Sequence, residues 1–208
     1  DLSMLHPCIT HWDALDALEK TYNSTYGKAN RVFNIVKAAS LVDGKVIAPG
    51  EEFDTNAILG PRNEENGWKT ATGIRDGAYV QEYGGGVCQV STTLYNAALM
   101  ADLEITDRHL HSWPLGYVDI GRDATISTGG PNLKFVNSGP APITISAITD
   151  EEEKTVTVRI YGRPLKDGMY IELTSKKTAT LSSPGTETVY DPSLAPGESK
   201  TIRKERRG

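Results

Sequence analysis

Three stretches of the chain repeat apolar residues at every third or fourth position, the spacing of one face of an α-helix. The first covers residues 11–22, with Trp12, Leu15 and Leu18 on one face. The second covers residues 29–42, and the third begins after Gly86. Their apolar positions are Val32, Ile35, Val36 and Ala39, and then Val87, Val90, Leu94, Ala97, Ala98 and Ala101. The pattern predicts helices in the first half of the chain.

The second half alternates apolar with polar residues, which is the pattern of half-buried β-strands. Residues 132–139, 141–150 and 154–162 follow it and are rich in Thr, Val and Ile. The charged sequence TDEEEK, residues 149–154, fits a hairpin tip between the last two. We therefore predict an α+β fold, in which a helix-containing N-terminal half packs on an antiparallel β-sheet.

A domain boundary is expected near Arg163 and Pro164. Beyond it, residues 169–181 are a further strand candidate, and the tail after them contains three prolines and a basic end. These features predict a short β appendage at the C-terminus. The chain thus divides into a helical extension over residues 1–29, a main domain over 30–165 and a β-rich segment over 166–208.

Composition limits the classes of function. The 208 residues are 38% hydrophobic and 24% charged, and the formal net charge is −5. An acidic chain argues against a nucleic-acid partner, because proteins that bind nucleic acids usually present a basic face. No apolar run approaches the roughly 18 residues of a membrane-spanning helix, so no span is predicted within this sequence.

The glycine run 84–86 leads directly to Cys88, one of only two cysteines, at the predicted start of a helix. The unpaired N–H groups and the dipole of a helix N-terminus favour a thiolate over a thiol. The same N–H groups suit an oxyanion, and glycines let a substrate backbone approach closely. Gln89 and Ser91 add polar side chains beside the thiol. We interpret Cys88 as a candidate nucleophile.

A nucleophilic cysteine needs a base and a group that orients the base. His109 and His111 are two residues apart, so that on a strand they share a face. Asp119 and Asp123 follow across a turn. Papain-like and transglutaminase-like enzymes have cysteine, histidine and acid in this order. Either histidine is therefore a candidate base, and either aspartate is a candidate orienting group.

Other interpretations compete with catalysis. Most free cysteines are simply buried, and a glycine-rich corner before a helix can bind an anion or only turn the chain. The sequence HPCITH at residues 6–11 and the pair His109 and His111 contain zinc-ligand types, but HPCITH lacks a second ligand pair. We therefore predict no metal and no cofactor. A disulfide between Cys8 and Cys88 is a further alternative, and it would remove the thiol.

Five stretches of the sequence resemble the VanW-like family, which is named for an accessory protein found with vancomycin-resistance genes. They are residues 30–56, 59–68, 84–105, 108–127 and 133–145. The resemblance runs from about residue 30 to about residue 162 and is most specific around Cys88. The family signature falls on Gly84, Gly85, Gly86, Cys88, Gln89, Ser91, Tyr95, Asn96, Arg108, His111, Ser112, Pro114, Tyr117, Gly121, Asp123, Ala124 and Thr125.

The resemblance also chooses between the alternatives. Only His111 falls in the family's HS-x-P pattern, and only Asp123 falls in its DAT pattern, so these two are favoured over His109 and Asp119. The chain departs from the family at Asn132, where an acid is expected, and at residues 53–56.

The resemblance implies an extracytoplasmic protein of Gram-positive bacteria, in the cell wall or anchored to the membrane through a segment outside this sequence. Its expected partner is peptidoglycan or its peptide fragments. Residues 187–208 are similar to the opening of a wall-associated module named for five glycines, of which this sequence holds only the start.

We predict a cysteine-dependent amide hydrolase or acyl transferase, such as a transpeptidase, with Cys88 as nucleophile, His111 as base and Asp123 as orienting group. The candidate substrate-binding residues are Gly84, Gly85, Gly86, Gln89, Ser91, Tyr95, Arg108, Trp113 and Tyr117. The alternative is a non-catalytic cell-wall binding or scaffolding module. A sulfur beyond hydrogen-bond reach of both histidines, or a fully buried Cys88 with no adjoining cleft, would favour that alternative.

Overall fold

The computed structural model of the chain describes residues 6–12, 25–75, 78–112, 114–152, 155–163, 165, 169–179, 188 and 190–200. For residues 6–12, 25–28, 75 and 78 it describes the backbone alone. The helices in this part are α1 (Thr25–Val42), α2 (Thr55–Leu59) and α3 (Val87–Met100). The strands are β1 (His6–Trp12), β2 (Val46–Ile47), β3 (Glu52–Asp54), β4 (Thr70–Arg75), β5 (Ala78–Tyr83), β6 (Glu104–Asp107), β7 (Lys134–Val136), β8 (Ile143–Asp150) and β9 (Thr155–Gly162).

The strands form three antiparallel sheets. The largest has the order β1-β9-β8-β2, the second has the order β3-β7-β6, and β4 and β5 form a hairpin. The hairpin of β8 and β9 pairs Asp150 with Thr155 next to its tip, where the sequence predicts a charged turn. In the second sheet, Phe53 and Phe135 stack across the strands with ring centroids 4.9 Å apart. The predicted α+β class with an antiparallel sheet is confirmed.

Helices α1 and α3 pack on the largest sheet and on each other. Their buried residues form one apolar core with the inner faces of β8 and β9. The main contributors are Ile35, Ala38, Ala39 and Val42 of α1, Val90, Leu94, Ala97 and Ala98 of α3, and Ile145, Val156 and Val158 of the sheet. These positions repeat at helical spacing in α1 and α3, so the second and third predicted helices are confirmed.

The remaining faces of α3 are polar but equally buried. Gln89, Ser91, Thr92, Thr93 and Asn96 all lie inside the protein. Buried polar groups need hydrogen-bond partners. Several of these partners come from irregular backbone at residues 108–112 and 114–126, which we call the 108–126 segment. The contact between α3 and this segment builds the candidate site.

Three sequence expectations have different outcomes in the structure. β6 ends at Asp107, so His109 and His111 lie in irregular backbone and the prediction that they share a strand face is wrong. Residues 169–179, the described part of the strand candidate at 169–181, form no strand. Of the helix predicted over 11–22, residues 11 and 12 end β1 and the others lie outside the described residues.

Internal contacts divide the chain into two units, Asp1–Ser175 and Lys176–Gly208. The domain limits at residues 29/30 and 165/166 stay predictions, as does the five-glycine module. Within the described ranges, no helix is both long and apolar enough to cross a membrane.

Candidate functional site around Cys88

The turn at residues 84–86 requires glycine because of its own packing. Gly84 and Gly86 have φ angles of 78° and 110°, in a region that residues with a side chain rarely adopt. Gly85 lies outside that region, but a Cβ atom on it would lie 2.6 Å from the carbonyl oxygen of Ala71. All three glycines are buried. Steric fit accounts for them, and their predicted contact with a substrate stays a prediction.

Cys88 lies in the first turn of α3, directly after this corner, and is a free, half-buried thiol. Its sulfur contacts the end of the 108–126 segment. The N–H of Ile126 donates to Sγ at 3.5 Å, and the Oγ1 of Thr125 lies 3.7 Å from it. The residue is thus neither fully buried nor exposed, and its sulfur is held against the backbone of Ile126.

His111 connects Cys88 to Asp123. Its Nδ1 lies 2.6 Å from Oδ2 of Asp123, and its backbone N–H donates to the same oxygen at 2.6 Å. The imidazole also lies close enough to the Cys88 side chain for each group to shift the pKa of the other. The His111 side chain is only 6% exposed, so these contacts hold the imidazole in one orientation. The structure thus brings together the three residues predicted as a triad.

The charges in this group favour a thiolate. Burial alone raises the pKa of the Cys88 thiol, but the hydrogen bond and charge of His111 outweigh burial and lower the pKa below its ordinary value. Burial lowers the pKa of His111, yet its bonds to Asp123 and Cys88 raise that pKa to about 9. Burial raises the pKa of Asp123, and its bonds from His111 bring the pKa below its ordinary value. All three shifts favour the thiolate, the imidazolium and the carboxylate over their uncharged forms.

Arg108 holds the aspartate in place. Its Nε donates to the backbone oxygen of Asp123 at 2.7 Å, and one terminal nitrogen donates to the Gly121 oxygen at 2.8 Å. The guanidinium also stacks over the ring of Tyr95, 4.9 Å from its centroid. Two predicted substrate-binding residues, Arg108 and Tyr95, therefore contact each other and support Asp123.

The other predicted residues divide into those near the sulfur and those away from it. Ser91 donates to the oxygen of Ala124 at 2.7 Å and so holds the backbone beside Cys88. Gln89 is fully buried on another side of α3, where its Oε1 accepts a hydrogen bond from Arg31. Its Nε2 has no hydrogen-bond partner among the described residues. Trp113 lies outside the described residues.

Tyr117 is half-buried and lies close enough to Cys88 for a thiolate charge to affect its phenol. Burial is the main reason why the pKa of Tyr117 is raised, and the charge of Cys88 adds to it. The residue also lines an open depression of about 250 Å³, together with Gly116, Val118, Asp119 and Arg122. Tyr117 is therefore the residue that connects this depression with the surroundings of Cys88.

The unfavoured candidates lie outside the triad. Nε2 of His109 lies 3.0 Å from Oδ1 of Asp107, and this histidine side chain is 51% exposed. Asp119 is exposed and pairs with Arg122 at 3.7 Å. In the described part of the chain, no group of three or more His, Cys, Asp or Glu side chains could hold a metal ion. The side chains of His6, Cys8 and His11 lie outside that part.

Two further residues of α3 support the site: Thr92, which sequence reasoning missed, and Asn96, which it placed in the family signature without a role. Thr92 bonds to both the N–H and the oxygen of Ala124, at 3.0 and 3.3 Å. Asn96 donates to the oxygen of Arg122 at 2.8 Å. Together with Cys88 they occur at every fourth position, which places all three on one face of α3. This repeat of polar residues at every fourth position is the feature of the sequence from which the contact between α3 and the 108–126 segment could have been predicted.

The two departures from the family pattern contact each other. The side-chain amide of Asn132 donates to Oδ1 of Asp54 at 2.8 Å, and its oxygen accepts the backbone N–H of Asn56 at 3.0 Å. Asp54 is also the N-cap of α2, where it accepts the N–H of Ala57. An acid at 132 could not donate a hydrogen bond to Asp54 at neutral pH. The asparagine at 132 is therefore compatible with the aspartate at 54, and an acid would not be.

Comparison with known proteins gives one family match and two relatives. The model of the family described as VanW like protein matches residues 30–161. The uncharacterized protein YoaR of Bacillus subtilis is 42% identical over 127 residues, which are 61% of this chain and 42% of YoaR. The vancomycin B-type resistance protein VanW of Enterococcus faecalis is 32% identical over 129 residues, which are 60% of this chain and 47% of that protein.

The matched region thus spans less than half the length of either relative. No solved structure matches the chain. The family match covers more than half of the 208 residues and includes Cys88, His111 and Asp123. The chain belongs to the VanW-like family.

Proposed function

We propose that the protein is a cysteine-dependent amide hydrolase or acyl transferase of the cell envelope. The observation that carries the proposal is the group of Cys88, His111 and Asp123, in which His111 is bonded to Asp123 and lowers the pKa of the Cys88 thiol. A structural cysteine needs neither a charged histidine nor a buried carboxylate behind that histidine. A nucleophilic cysteine is commonly activated by such a histidine, which a third group orients.

In the proposed reaction, the Cys88 thiolate attacks the carbonyl carbon of an amide. The C–N bond then breaks, and the leaving amine takes the proton from His111, which leaves a thioester on Cys88. Water or a second amine attacks the thioester, His111 accepts the proton of that nucleophile, and the thiolate is released. Asp123 keeps the imidazole oriented throughout, since it bonds both the ring and the backbone of His111.

The oxyanion of the tetrahedral intermediate needs hydrogen-bond donors. In the first turn of α3, the N–H groups of Val87 and Gln89 already donate to the oxygens of Gly84 and Gly86. We assign the N–H of Cys88 itself as the donor, because it lies in the same turn and belongs to the nucleophile. Gln89 is directed towards Arg31 and has no part in this proposal.

For the substrate, we propose peptide amides of peptidoglycan. The support is family membership, because a relative of the chain is a vancomycin B-type resistance protein. An extracytoplasmic location belongs to the same proposal.

A non-catalytic binding module is the second candidate. The observation in its favour is that every triad residue also holds the fold. Cys88 binds the backbone of Ile126, and Asp123 binds Arg108 and the backbone of His111. In that case the triad fixes the 108–126 segment against α3, and the cleft beside Tyr117 binds the cell wall without chemistry.

The pH dependence of Cys88 alkylation by iodoacetamide distinguishes the two candidates. It is measured in a Cys8→Ala background, so that a single cysteine reacts. We expect Cys88 to titrate well below about 8.5. We expect His111→Ala to raise this pKa and to lower the alkylation rate at pH 6.5 by at least about tenfold. The matched control is His109→Ala, which removes an exposed histidine two residues away and should change neither value.

A thiol that titrates at its ordinary pH, or that responds equally to both histidine substitutions, would remove the catalytic proposal and leave the binding module. If the activated pair is found, incubation with peptidoglycan fragments follows. An acylated Cys88 in the mass spectrum, absent from Cys88→Ser, is the expected product.

A further inference from the structure

Arg122 is a cation in the wall of the depression beside Tyr117, and the proposed reaction does not use it. The depression has a volume of about 250 Å³ and is lined by residues 116–119 together with Arg122. Of the described residues that line it, Arg122 alone carries a positive charge. The Arg122 side chain is 20% exposed, so that it is partly shielded from water and still reaches the surface.

A buried asparagine holds Arg122 in one orientation. Oδ1 of Asn96 accepts a hydrogen bond from Nε of Arg122 at 2.9 Å, and Nδ2 of Asn96 donates to the backbone oxygen of Arg122 at 2.8 Å. Asn96 is fully buried and also donates to the oxygen of Thr92, one turn earlier in α3. Asn96 belongs to the family signature, and its bonds to Arg122 give it a role that the triad does not.

The ion pair between Arg122 and Asp119 is weak. Nη1 of Arg122 lies 3.7 Å from Oδ2 of Asp119, whereas a charge-assisted hydrogen bond between arginine and carboxylate is roughly 2.8 Å long. The Asp119 side chain is 68% exposed, and exposed ion pairs contribute little free energy. A carboxylate from a ligand can therefore replace Asp119 at the guanidinium, where two parallel hydrogen bonds are available to a planar anion.

Arg108, the other arginine of the 108–126 segment, is not available in this way. Its guanidinium donates to the backbone oxygens of Asp123 and Gly121 and lies 3.5 Å from Oδ1 of Asp123. Asp123 is a buried residue of the triad. Arg108 therefore holds the segment together, whereas Arg122 lines the depression.

The Arg122 end of the depression and Cys88 lie at two ends of one face of α3. Cys88, Thr92 and Asn96 bond in this order to successive backbone positions from residue 126 back to residue 122. Residues 122–126 thus run antiparallel to the helix. The eight residues from Cys88 to Asn96 span about 12 Å of helix, a distance that an extended peptide covers in roughly three to four residues.

We propose that Arg122 binds a carboxylate of the substrate, about 12 Å along α3 from the amide that Cys88 attacks. The ligand class is a peptide with a carboxylate roughly three or four residues from the scissile bond. Tyr117 lines the depression and packs against the same core as Cys88, which places it along this path. The inference rests on the proposed function for the position of the amide, but the binding of a carboxylate requires no chemistry.

A pair of affinity labels tests the carboxylate site. Iodoacetyl-aminohexanoate alkylates a thiol at one end and carries a carboxylate at the other end of a spacer of about the required length. Iodoacetyl-aminohexanamide is the uncharged match. Alkylation of Cys88 by each is measured in the Cys8→Ala background at about pH 8.5, where a thiol of ordinary pKa also reacts.

The short pair iodoacetate and iodoacetamide provides the reference, because its carboxylate cannot reach Arg122 from Cys88. The rate ratio of carboxylate to amide in the short pair measures repulsion by the thiolate alone. We expect the ratio in the long pair to exceed this reference about tenfold, since hydrogen bonds to a charged group stabilise the bound label. Arg122→Gln should bring the long ratio down to the short one.

Arg159→Gln is the matched control for net charge. Arg159 lies on β9 between the core residues Val158 and Ile160, so its side chain is on the opposite face of that sheet. The long ratio should be unchanged in this variant. Equal losses in Arg122→Gln and Arg159→Gln would overturn the inference, because they would show an effect of net charge and not of a site.

Asp119→Asn provides an independent test that does not depend on the fold of Arg122→Gln. It removes the anion that competes for Arg122 at an exposed position, so the long ratio should rise about two- to threefold. An unchanged or lower ratio in Asp119→Asn would overturn the inference even if Arg122→Gln does not fold.

Two peptide labels identify the source of the carboxylate. Iodoacetyl-trialanine carries it at the chain end, and the amide of iodoacetyl-Ala-Ala-Glu carries it on a side chain. The label that reacts faster with the parent and is slowed by Arg122→Gln identifies the natural position of the carboxylate. If Arg122→Gln slows neither label, no peptide carboxylate binds at Arg122 and the inference is overturned.

The outcomes also separate this inference from the proposed function. An ordinary pKa of Cys88 removes the catalytic proposal, but a label ratio that depends on Arg122 then assigns the carboxylate site to a binding module. A lowered pKa of Cys88 with a ratio that ignores Arg122 keeps the catalytic proposal and overturns the role of Arg122.

Discussion

The two sides of the Cys88 site are built in different ways. Cys88 lies on a regular helix whose start is set by the close-packed corner at residues 84–86. His111 and Asp123 lie in the irregular 108–126 segment, which side chains such as Arg108 and Ser91 hold through backbone oxygens. The first side depends on steric exclusion, and the second depends on charge and hydrogen bonds. The two sides should therefore fail under different changes of sequence and pH.

The largest effect is expected on the helix side, from Gly85→Ala. The added Cβ would lie 2.6 Å from the oxygen of Ala71, which is backbone and cannot move aside easily. We expect the free energy of unfolding in urea to fall by about 3 kcal/mol. Gly116→Ala is the control, because a Cβ on Gly116 meets nothing within 4 Å. That variant should stay within about 0.5 kcal/mol of the parent. Equal losses would show that the corner is not sterically determined.

On the 108–126 side, Asp123→Asn should have an effect that depends on pH. The folded pKa of His111, about 9, lies above its ordinary 6.5. The stability from its charged form is therefore fully present below pH 6.5 and is lost as pH rises through about 9. We expect Asp123→Asn to lower the free energy of unfolding by about 2 kcal/mol at pH 6.

The difference between Asp123→Asn and the parent should shrink towards pH 10, and Gly85→Ala should show no such dependence. Urea unfolding at the two pH values measures both variants. A loss in Asp123→Asn that is the same at pH 6 and pH 10 would mean that the His111 charge contributes nothing to the fold.

The smallest effect should follow from Arg108→Met, which removes the bonds to Gly121 and Asp123 and the contact with Tyr95. We expect a loss of about 1 to 2 kcal/mol and slower alkylation of Cys88, because Asp123 loses its support. Tyr95→Phe keeps the ring below Arg108 and should change neither quantity. If Arg108→Met slows alkylation without lowering the free energy of unfolding, Arg108 acts on the reactivity of Cys88 and not on the stability of the fold.

The sequence predicts those features that are determined by residues close together in the chain. The stripe from Val87 to Ala98 repeats within single helical turns, so α3 and its buried face follow from periodicity. The pairing of His111 with Asp123 follows from the family resemblance and from chain order.

The irregular backbone around His111 could not be predicted. Its shape is fixed by bonds between residues without periodic spacing, such as Arg108 with Asp123. The pattern of apolar and polar residues did not predict that β6 ends at Asp107, before His109 and His111. Likewise, the requirement for Gly84 and Gly85 depends on Arg62 and Ala71, which are distant in sequence.

The bond between Asn132 and Asp54 has a consequence for exchanging segments among members of the family. A chimera that took residues around 132 from a relative with an acid there, and kept Asp54, would place two carboxylates at 2.8 Å, where this chain has an amide and a carboxylate. The junctions of such chimeras should therefore transfer both positions together. Positions 54 and 132 therefore constrain each other, although 78 positions separate them in the sequence.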